Sequence, residues 1–340
     1  IWNREGVCLA HSAVSDEKER REIQDTISGM RGNDEIRKNG RSLFGAVSDE
    51  ELKYILVLHS EDEGVEVAGR LGVKQLEGLL TAYQDRMNRN HFIQSLLLDN
   101  MLLVDVYNRA KKMKIEIEAR RAVIMIEPKN PKDSLVLEVL KGIYATNTND
   151  FVTAVDEERI ILIKALEDSE GYKELNNIAR SIVDVMNTEA MVNVRVAYGT
   201  IIHEIKDVSK SYKEAGMALD VGRIFYEERN ILAYNELGIG RLIHQLPVSL
   251  CDMFLKEVFS GKAVDQFDEE TLSTVHKFFE NNLNISETAR QLYLHRNTLV
   301  YRLEKIQKKT GLDVRVFDDA LTFKIALMVA SHMKSLQTLE

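Results

Sequence analysis

The stretch Asn284-Ile-Ser-Glu-Thr-Ala-Arg-Gln-Leu-Tyr-Leu-His-Arg-Asn-Thr-Leu-Val-Tyr-Arg-Leu-Glu-Lys-Ile306 reads as two helices joined by a tight turn. Ser286 to Leu292 forms a short first helix, with Ala289 and Leu292 turned inward and an oxygen from Asn284 or Ser286 capping its free N–H groups. Tyr293 and Leu294 make the turn. From His295 a second helix places Leu299, Leu303 and Ile306 at i, i+4 and i+7, so one face is apolar. The opposite face carries Arg296, Asn297, Tyr301, Arg302 and Lys305. The small Ala289 lets the two helices cross closely.

Such a polar face suits the DNA major groove. Arginine binds guanine O6 and N7 bidentately, asparagine does the same to adenine N6 and N7, and Thr or Tyr hydroxyls reach phosphates or base edges. In a helix-turn-helix these groups sit on the first turns of the recognition helix. An ordinary amphipathic helix pair with a solvated basic face fits the same pattern. More specific is the run His295-Arg-Asn-Thr-Leu-Val-Tyr-Arg-Leu303, followed by Lys308-Lys-Thr-Gly-Leu312 and Phe317-Asp-Asp-Ala-Leu321. It resembles the C-terminal DNA-binding domain of the bacterial sugar-diacid and purine-catabolism regulators, the CdaR/PucR family. The resemblance implies that His295, Arg296, Asn297 and Thr298 open the recognition helix. Tyr293, where many helix-turn-helix proteins have glycine, is usual for that family. The candidate DNA contacts are Ser286, His295, Arg296, Asn297, Thr298, Tyr301, Arg302, Lys305 and Lys308, with Arg302, Lys305 and Lys308 expected at phosphates.

The net charge of −9 opposes DNA binding until charge is counted by region. Between Asn284 and Arg315 seven basic residues (Arg290, Arg296, Arg302, Lys305, Lys308, Lys309, Arg315) face three acidic ones (Glu287, Glu304, Asp313), which leaves −13 on the remainder. A basic module on an acidic body orients the protein on DNA and discourages wrapping by the rest.

With 340 residues the chain fits two or three domains, and its 44% hydrophobic and 29% charged residues are those of a soluble globular protein. No apolar run approaches the ~18 residues that span a bilayer, so no membrane partner is expected. Cys8 and Cys251 are the only cysteines and stand far apart, which argues against a disulfide framework and for a reducing cytoplasm. None of the eight histidines lies at metal-ligand spacing from Cys, Asp or Glu, and no phosphate loop or nucleophile elbow occurs, so no metal or cofactor is expected. Residue 1 is an isoleucine already inside a strand pattern, so the sequence is expected to begin part-way into a domain.

Ahead of the helix pair the chain divides into three regions. Residues 1–80 alternate short strands with loops: Ile1 to Ala10 as strand, turn, strand; a charged helix from Ser15 to Ser28; a hairpin of Arg41 to Val47 and Leu52 to His59 around Ser48-Asp49-Glu50. A small sheet with helices on one face is common in PAS-like sensors, and the resemblance implies a partial sensor of this kind. Residues 81–114 form a helical linker within a helical pattern that runs from Gly64 to Met113. There Leu76, Tyr83, Asn90 and Leu97 fall seven apart, with Leu80 and Met87 between them. Either a helix pairing with its copy, through Leu76, Leu80, Tyr83 and Met87, or a helix packed on its own domain satisfies this pattern. Gly69 and Gly72 are read as close helix packing.

Residues 115–247 read as βαββαβα: strand Ala122 to Glu127, helix Asp133 to Tyr144, hairpin Phe151 to Val155 and Arg159 to Leu166, helix Tyr172 to Met186, strand Val192 to Gly199, helix Val208 to Arg223. This is ferredoxin-like with an added helix whose Ala215, Ala218 and Leu219 turn toward the sheet. It resembles the GGDEF-like domain of the same family, a relative of diguanylate cyclases. A cyclase needs a glycine-rich acidic hairpin to approach GTP phosphates and hold divalent metal. The corresponding Ala154-Val-Asp-Glu-Glu-Arg159 has no glycine, and Asp156, Glu157 and Glu158 read as turn residues in water.

Residues 248–340 form the helix-turn-helix domain, preceded by a helical segment from Leu242 to Ser260 broken at Pro247 and ended by Gly261. Thr271 to Asn281 is a supporting helix, and Asp319 to Ser335 a last helix with Leu321, Ile325, Met328, Val329 and His332 on one side. The expected architecture is thus α+β and multidomain: PAS-like sensor, long helical linker, degenerate GGDEF domain and all-α helix-turn-helix domain. The expected function is a ligand-responsive DNA-binding transcription regulator that is not an enzyme. Its expected partners are double-stranded DNA, a small-molecule effector such as a sugar acid or diacid, and a second copy of itself. The alternative is an enzyme acting on a nucleotide through residues 115–247.

Overall fold

The structure, a computed structural model, describes every residue except 13–16, 49–50, 61, 63, 131–134, 145–148, 157, 260–266 and 340, together with the side chains of 19, 338 and 339. The expected turn residues Asp49, Glu50 and Glu157 and the helix ends at Ser15, Asp133 and Gly261 lie outside the described residues. Residues Ile1–Ile93 and Gln94–Glu340 form two compact units.

In the first unit, the apolar runs Leu43 to Val47 and Tyr54 to Leu58 form the expected hairpin. The elements are β1 (Trp2–Asn3), α1 (Glu17–Ser28), β2 (Glu35–Lys38), β3 (Arg41–Ser48) and β4 (Glu51–His59), and the strands pair antiparallel in the order β1-β4-β3-β2. Because side chains alternate along a strand, β3 and β4 present two apolar faces. One face, with Leu43 and Ile55, takes Ile23 and Ile27 of α1 together with Trp2. The other, with Phe44, Ala46 and Leu56, takes Val73 and Leu76 from α2 (Val65–Leu97). The sheet is therefore covered on both sides, not on the one side the sequence reading expected. A Cβ on Gly69 would lie 2.1 Å from the Phe44 ring and one on Gly72 2.7 Å from Leu56 Cδ2, so these glycines are what lets α2 lie against the strands.

Helix α2 is 33 residues long, or roughly 50 Å. The expected boundary at residue 81 falls inside it without a break. Leu76 packs on the unit's own sheet and Leu80 is half-buried, whereas Leu79, Tyr83 and Met87 are exposed.

The second unit begins with the end of α2 and α3 (Leu103–Lys112). Then come β5 (Glu118–Pro128), α4 (Leu135–Tyr144), β6 (Phe151–Ala154), β7 (Ile160–Ala165), α5 (Tyr172–Thr188), β8 (Val194–Tyr198), β9 (Ile202–Glu204), α6 (Val208–Phe225) and β10 (Ile231–Ala233). The sheet order β10-β8-β5-β7-β6 contains the fourth-first-third-second order of a ferredoxin-like βαββαβ unit, with all four of those strands antiparallel to their neighbours. β10 extends it parallel to β8, and β9 pairs with the start of β5. One face buries Ile124, Ile126 and Leu162 against Leu140 of α4 and Leu175 and Ile182 of α5. Each such side chain contributes roughly 1.5–3 kcal/mol on burial. On α6, Ala215, Ala218 and Leu219 are fully buried as expected. The neighbouring Ser211 lies against the central strand β5, accepting from Val123 N at 3.0 Å and donating to Thr200 O at 2.8 Å.

Six helices follow: α7 (Ile239–His244), α8 (Val248–Val258), α9 (Glu269–Glu280), α10 (Ile285–Gln291), α11 (Arg296–Thr310) and α12 (Phe317–Leu339). Pro247 separates α7 from α8 as expected, since its fixed φ suits a position just before a helix. Helix α12 differs from expectation. Leu321 is 43% exposed, and the helix buries two sides. Phe323, Ala326 and Leu327 enter one core with Val275, Phe278, Leu303 and Ile306, while Val329, with Ile325 and Met328 beside it, enters another with Ile243 and Cys251. Leu321 belongs to neither core.

Candidate nucleic-acid interface

The site is built by three consecutive helices, each with its own start and stop. Helix α9 opens with Asp268, whose carboxylate accepts from Thr271 N at 2.8 Å. It closes through Asn282 and Leu283 at φ 51° and 62°, and Leu283 packs on the domain core. Asn284, one of the two expected caps, accepts from Glu287 N at 3.1 Å and starts α10; Ser286 is one residue inside the helix and exposed. Thr288 and Ala289 are buried where α10 meets its neighbours. The Thr288 hydroxyl donates to Asn284 O at 2.7 Å and accepts from Asn281 Nδ2 at 3.3 Å, which ties α9 to α10.

Helix α10 ends in a Schellman turn, with Leu294 N donating to Ala289 O at 2.9 Å and Tyr293 N to Arg290 O at 3.3 Å. This geometry puts Tyr293 at φ 55°, a left-handed conformation costing a side-chain-bearing residue roughly 1–2 kcal/mol. Its ring is 96% exposed. His295 then caps α11, its Nδ1 accepting from Asn297 N at 3.3 Å. Leu299, Leu303 and Ile306 are buried, as the i, i+4, i+7 spacing required, and Gly311 ends the helix at φ 80°.

What remains open to solvent at the start of α11 is His295, Arg296, Asn297 and Thr298, with Tyr301 one turn further and Lys308 beyond it. The structure brings these expected residues onto an accessible surface. It does not leave Arg302 and Lys305 there in the way expected. The Arg302 side chain is only 16% exposed; its Nη1 donates to Thr274 Oγ1 at 3.0 Å and its Nη2 pairs with Glu270. Lys305 pairs with Asp268, which, with the Thr271 bonds, holds that carboxyl below the usual range. Both cations thus join α11 to α9, where a phosphate would compete with Glu270 and Asp268 for them. On α10, Arg290 holds Glu287 through Nε at 2.9 Å and Nη2 at 2.6 Å, and with help from Gln291 this lowers the Glu287 carboxyl to about 2. Tyr293, which the spacing placed in the turn, stands exposed beside this surface.

The hairpin of the ferredoxin-like domain forms a turn around Asp156, whose Oδ1 accepts from Glu158 N at 3.0 Å and Arg159 N at 2.7 Å. A cavity of about 450 Å³ beside it is lined by Glu127, Lys129, Glu158, Arg195, Arg223 and Glu227. Its most enclosed carboxylate, Glu127, is engaged by Arg223 and, at 3.6 Å, by Arg159. Among the described residues no group of three or more His, Cys, Asp or Glu could hold a metal ion. No described helix is long and apolar enough to cross a membrane.

Comparison with known proteins agrees with this geometry. Residues 271–329 match the PucR C-terminal helix-turn-helix domain, and residues 100–221 match the GGDEF-like domain. The purine catabolism regulatory protein of Bacillus subtilis (strain 168) is 29% identical over 173 residues, 49% of this chain and 32% of that protein. The carbohydrate diacid regulator of Escherichia coli (strain K12) is 24% identical over 258 residues, 72% of this chain and 66% of that protein. The DNA-binding transcriptional activator AdeR of Bacillus subtilis (strain 168) is 25% identical over 188 residues, 54% of this chain and 44% of that protein. The chain thus spans between about a third and two thirds of the length of these relatives. A solved regulator of polyketide synthase expression from Bifidobacterium adolescentis aligns over 72% of this chain and 97% of its own, at 16% identity and a TM-score of 0.34.

Proposed function

Since the chain belongs to the CdaR/PucR family of regulators, we propose that it is a ligand-responsive, sequence-specific transcription regulator, an activator, acting in the cytoplasm on a carbohydrate-acid or purine catabolic operon. The observation that carries the reading is the exposed run His295 to Thr298 at the N-terminal end of α11, held on a frame whose caps, buried threonine and strut leave it little freedom. Helix N-termini favour phosphate, so His295 and Thr298 set the register. Arg296 and Asn297 carry the head groups that match guanine and adenine edges. Tyr301 lies one turn along the same surface, and Lys308 is the exposed cation of the last turn, placed for a phosphate.

One recognition helix reads only a few base pairs, so useful specificity asks for two half-sites about 34 Å apart and a dimer. The stretch of α2 beyond its own sheet, Leu80, Tyr83 and Met87 with Leu79, offers the apolar surface for that pairing; Leu76 contributes by joining the stretch to the sheet. Residues 1–80 serve as the PAS-like sensor, and the effector is a sugar acid or diacid, by analogy with the relative named for a carbohydrate diacid. The GGDEF-like domain transmits without catalysing, because its hairpin has no glycine and Asp156 there serves a turn.

The test is selection on randomised half-sites with the parent chain, Asn297→Ala and Arg296→Ala. Each variant is expected to lose about 1–3 kcal/mol on the preferred site and to relax the preference at one base position. Asn297→Ala keeps its non-specific affinity, and Arg296→Ala loses some of it with the charge. Parent base preferences retained in both variants would move the reading residues elsewhere on α11.

A further inference from the structure

We infer that Tyr293 is a DNA-backbone contact whose phenol hydroxyl donates to a phosphate at the edge of the groove that receives α11. The inference rests on the DNA-binding reading above. Three helix ends in this domain pass through the left-handed region, and they handle its strain in different ways. Gly311, at φ 80° after α11, has no side chain to strain. At the end of α9 the matching turn position is Asn282, at φ 51°, a residue type that visits the left-handed region readily, and Leu283 after it, at φ 62°, turns its side chain into the core. Tyr293, at φ 55° after α10, does neither, because its ring is 96% exposed and occupies the position that a Schellman turn most readily gives to glycine. Lys114 after α3 and Met191 after α5 are also exposed at φ 55°, so strain alone does not single out Tyr293; strain borne beside the exposed run His295 to Thr298 does, and points to a gain outside the fold.

Location names the partner. Tyr293 lies two residues before the cap of α11, next to the exposed His295, Arg296, Asn297 and Thr298. The nearest cation on α10, Arg290, already holds Glu287 in two hydrogen bonds. The tyrosine hydroxyl is therefore an open donor at this edge, and such donors are among the groups that bind phosphate oxygens and fix orientation. A bond of this kind carries no sequence information. It also adds no cation, so its loss leaves the salt dependence of binding as it was.

The experiment uses the full chain, with Tyr293→Phe and Tyr293→Gly, in fluorescence anisotropy on a mixed-sequence duplex of roughly 40 base pairs and on a duplex recovered by selection. Both variants are expected to bind about tenfold more weakly on both duplexes, with the parent's salt slope. Tyr293→Gly is expected to melt no lower than the parent, because it removes strain and no packing. Parental affinity in Tyr293→Phe would overturn the hydroxyl assignment. Parental affinity in Tyr293→Gly would remove the residue from the DNA surface and turn the search to a protein partner. A lower melting temperature in Tyr293→Gly would show the ring to be structural and overturn the argument from strain. These outcomes, with the parent binding DNA, sink only the role of Tyr293, whereas a parent chain that retains no DNA sinks the DNA-binding reading itself.

Discussion

Replacing Arg302 by Met separates two jobs that the helical wheel of α11 cannot tell apart. The sulfur side chain keeps most of the apolar stem and loses the guanidinium, so the lost terms are the bond to Thr274 Oγ1 at 3.0 Å and the ion pair with Glu270. A hydrogen bond from a charged donor contributes roughly 1.5–3 kcal/mol before screening. The Glu270 partner is 71% exposed, so its share falls to about 0–1 kcal/mol. Thr274 still donates its hydroxyl to Glu270 O at 2.7 Å, which spares it from being stranded. The net expectation is a loss of about 1–2 kcal/mol of stability, at roughly 2–4 °C per kcal/mol for a cooperative unit of this size. Thermal melts followed by circular dichroism measure that loss. Titrations of DNA at several salt concentrations measure the other job. A phosphate contact would lower the slope of log affinity against log salt by about 0.9, whereas a strut leaves it unchanged. An unchanged melting temperature together with a slope reduced by about one unit would refute the assignment of Arg302 to the α9–α11 joint.

Two further outcomes follow from residues far from α11. Tyr83→Glu together with Met87→Glu puts like charges on the exposed part of α2 and is expected to convert a dimer to a monomer in sedimentation at micromolar concentration; a parent that is itself monomeric with and without DNA would remove α2 as the pairing surface. His332 is 3% exposed, with its ring centroid 5.3 Å from that of His244, and burial first, then His244, lowers its pKa below the ordinary histidine value. The folded chain therefore binds fewer protons here than the unfolded one. The stability tied to this group is fully present above the unfolded value of about 6.5 and is lost as pH falls. The parent is expected to melt lower at a pH of about 5.5 than at about 7.5, and His332→Leu to flatten that difference; an equal pH dependence in both would exclude His332 as the source.

Long periodic segments were legible before any coordinates. The strand around Ala122 to Glu127, the helices from Tyr172 and Val208, and the helix pair from Asn284 appear within a few residues of where spacing put them. The strands β2, β9 and β10 were not legible, because three or four residues hold no measurable period and Glu35-Ile-Arg-Lys38 carries three charges on an exposed edge. Which side of a sheet a helix covers depends on register, so the placement of α1 and α2 on opposite faces of one hairpin could not be read from composition. On α11 the apolar positions are buried where the spacing put them, whereas the surroundings of the basic ones could not be read from it. A wheel marks Arg302 and Lys305 as polar, but whether a polar side faces water or the acidic first turn of another helix depends on how α9 lies across α11.

Helix α12 is a wall common to two rooms. Phe323, Ala326 and Leu327 close the core behind α11, and a turn further on Val329 and Met328 close the one behind α7 and α8. An element built into both cannot act as a hinge, since tilting it would open one core or the other to water. The recognition helix is therefore tied through α12 to α7 and α8, the helices that follow the ferredoxin-like sheet within the compact unit of residues 94–340. In a two-copy assembly this rigidity would show itself as intolerance: inserting one or two base pairs between half-sites cannot be absorbed by slack within each arm.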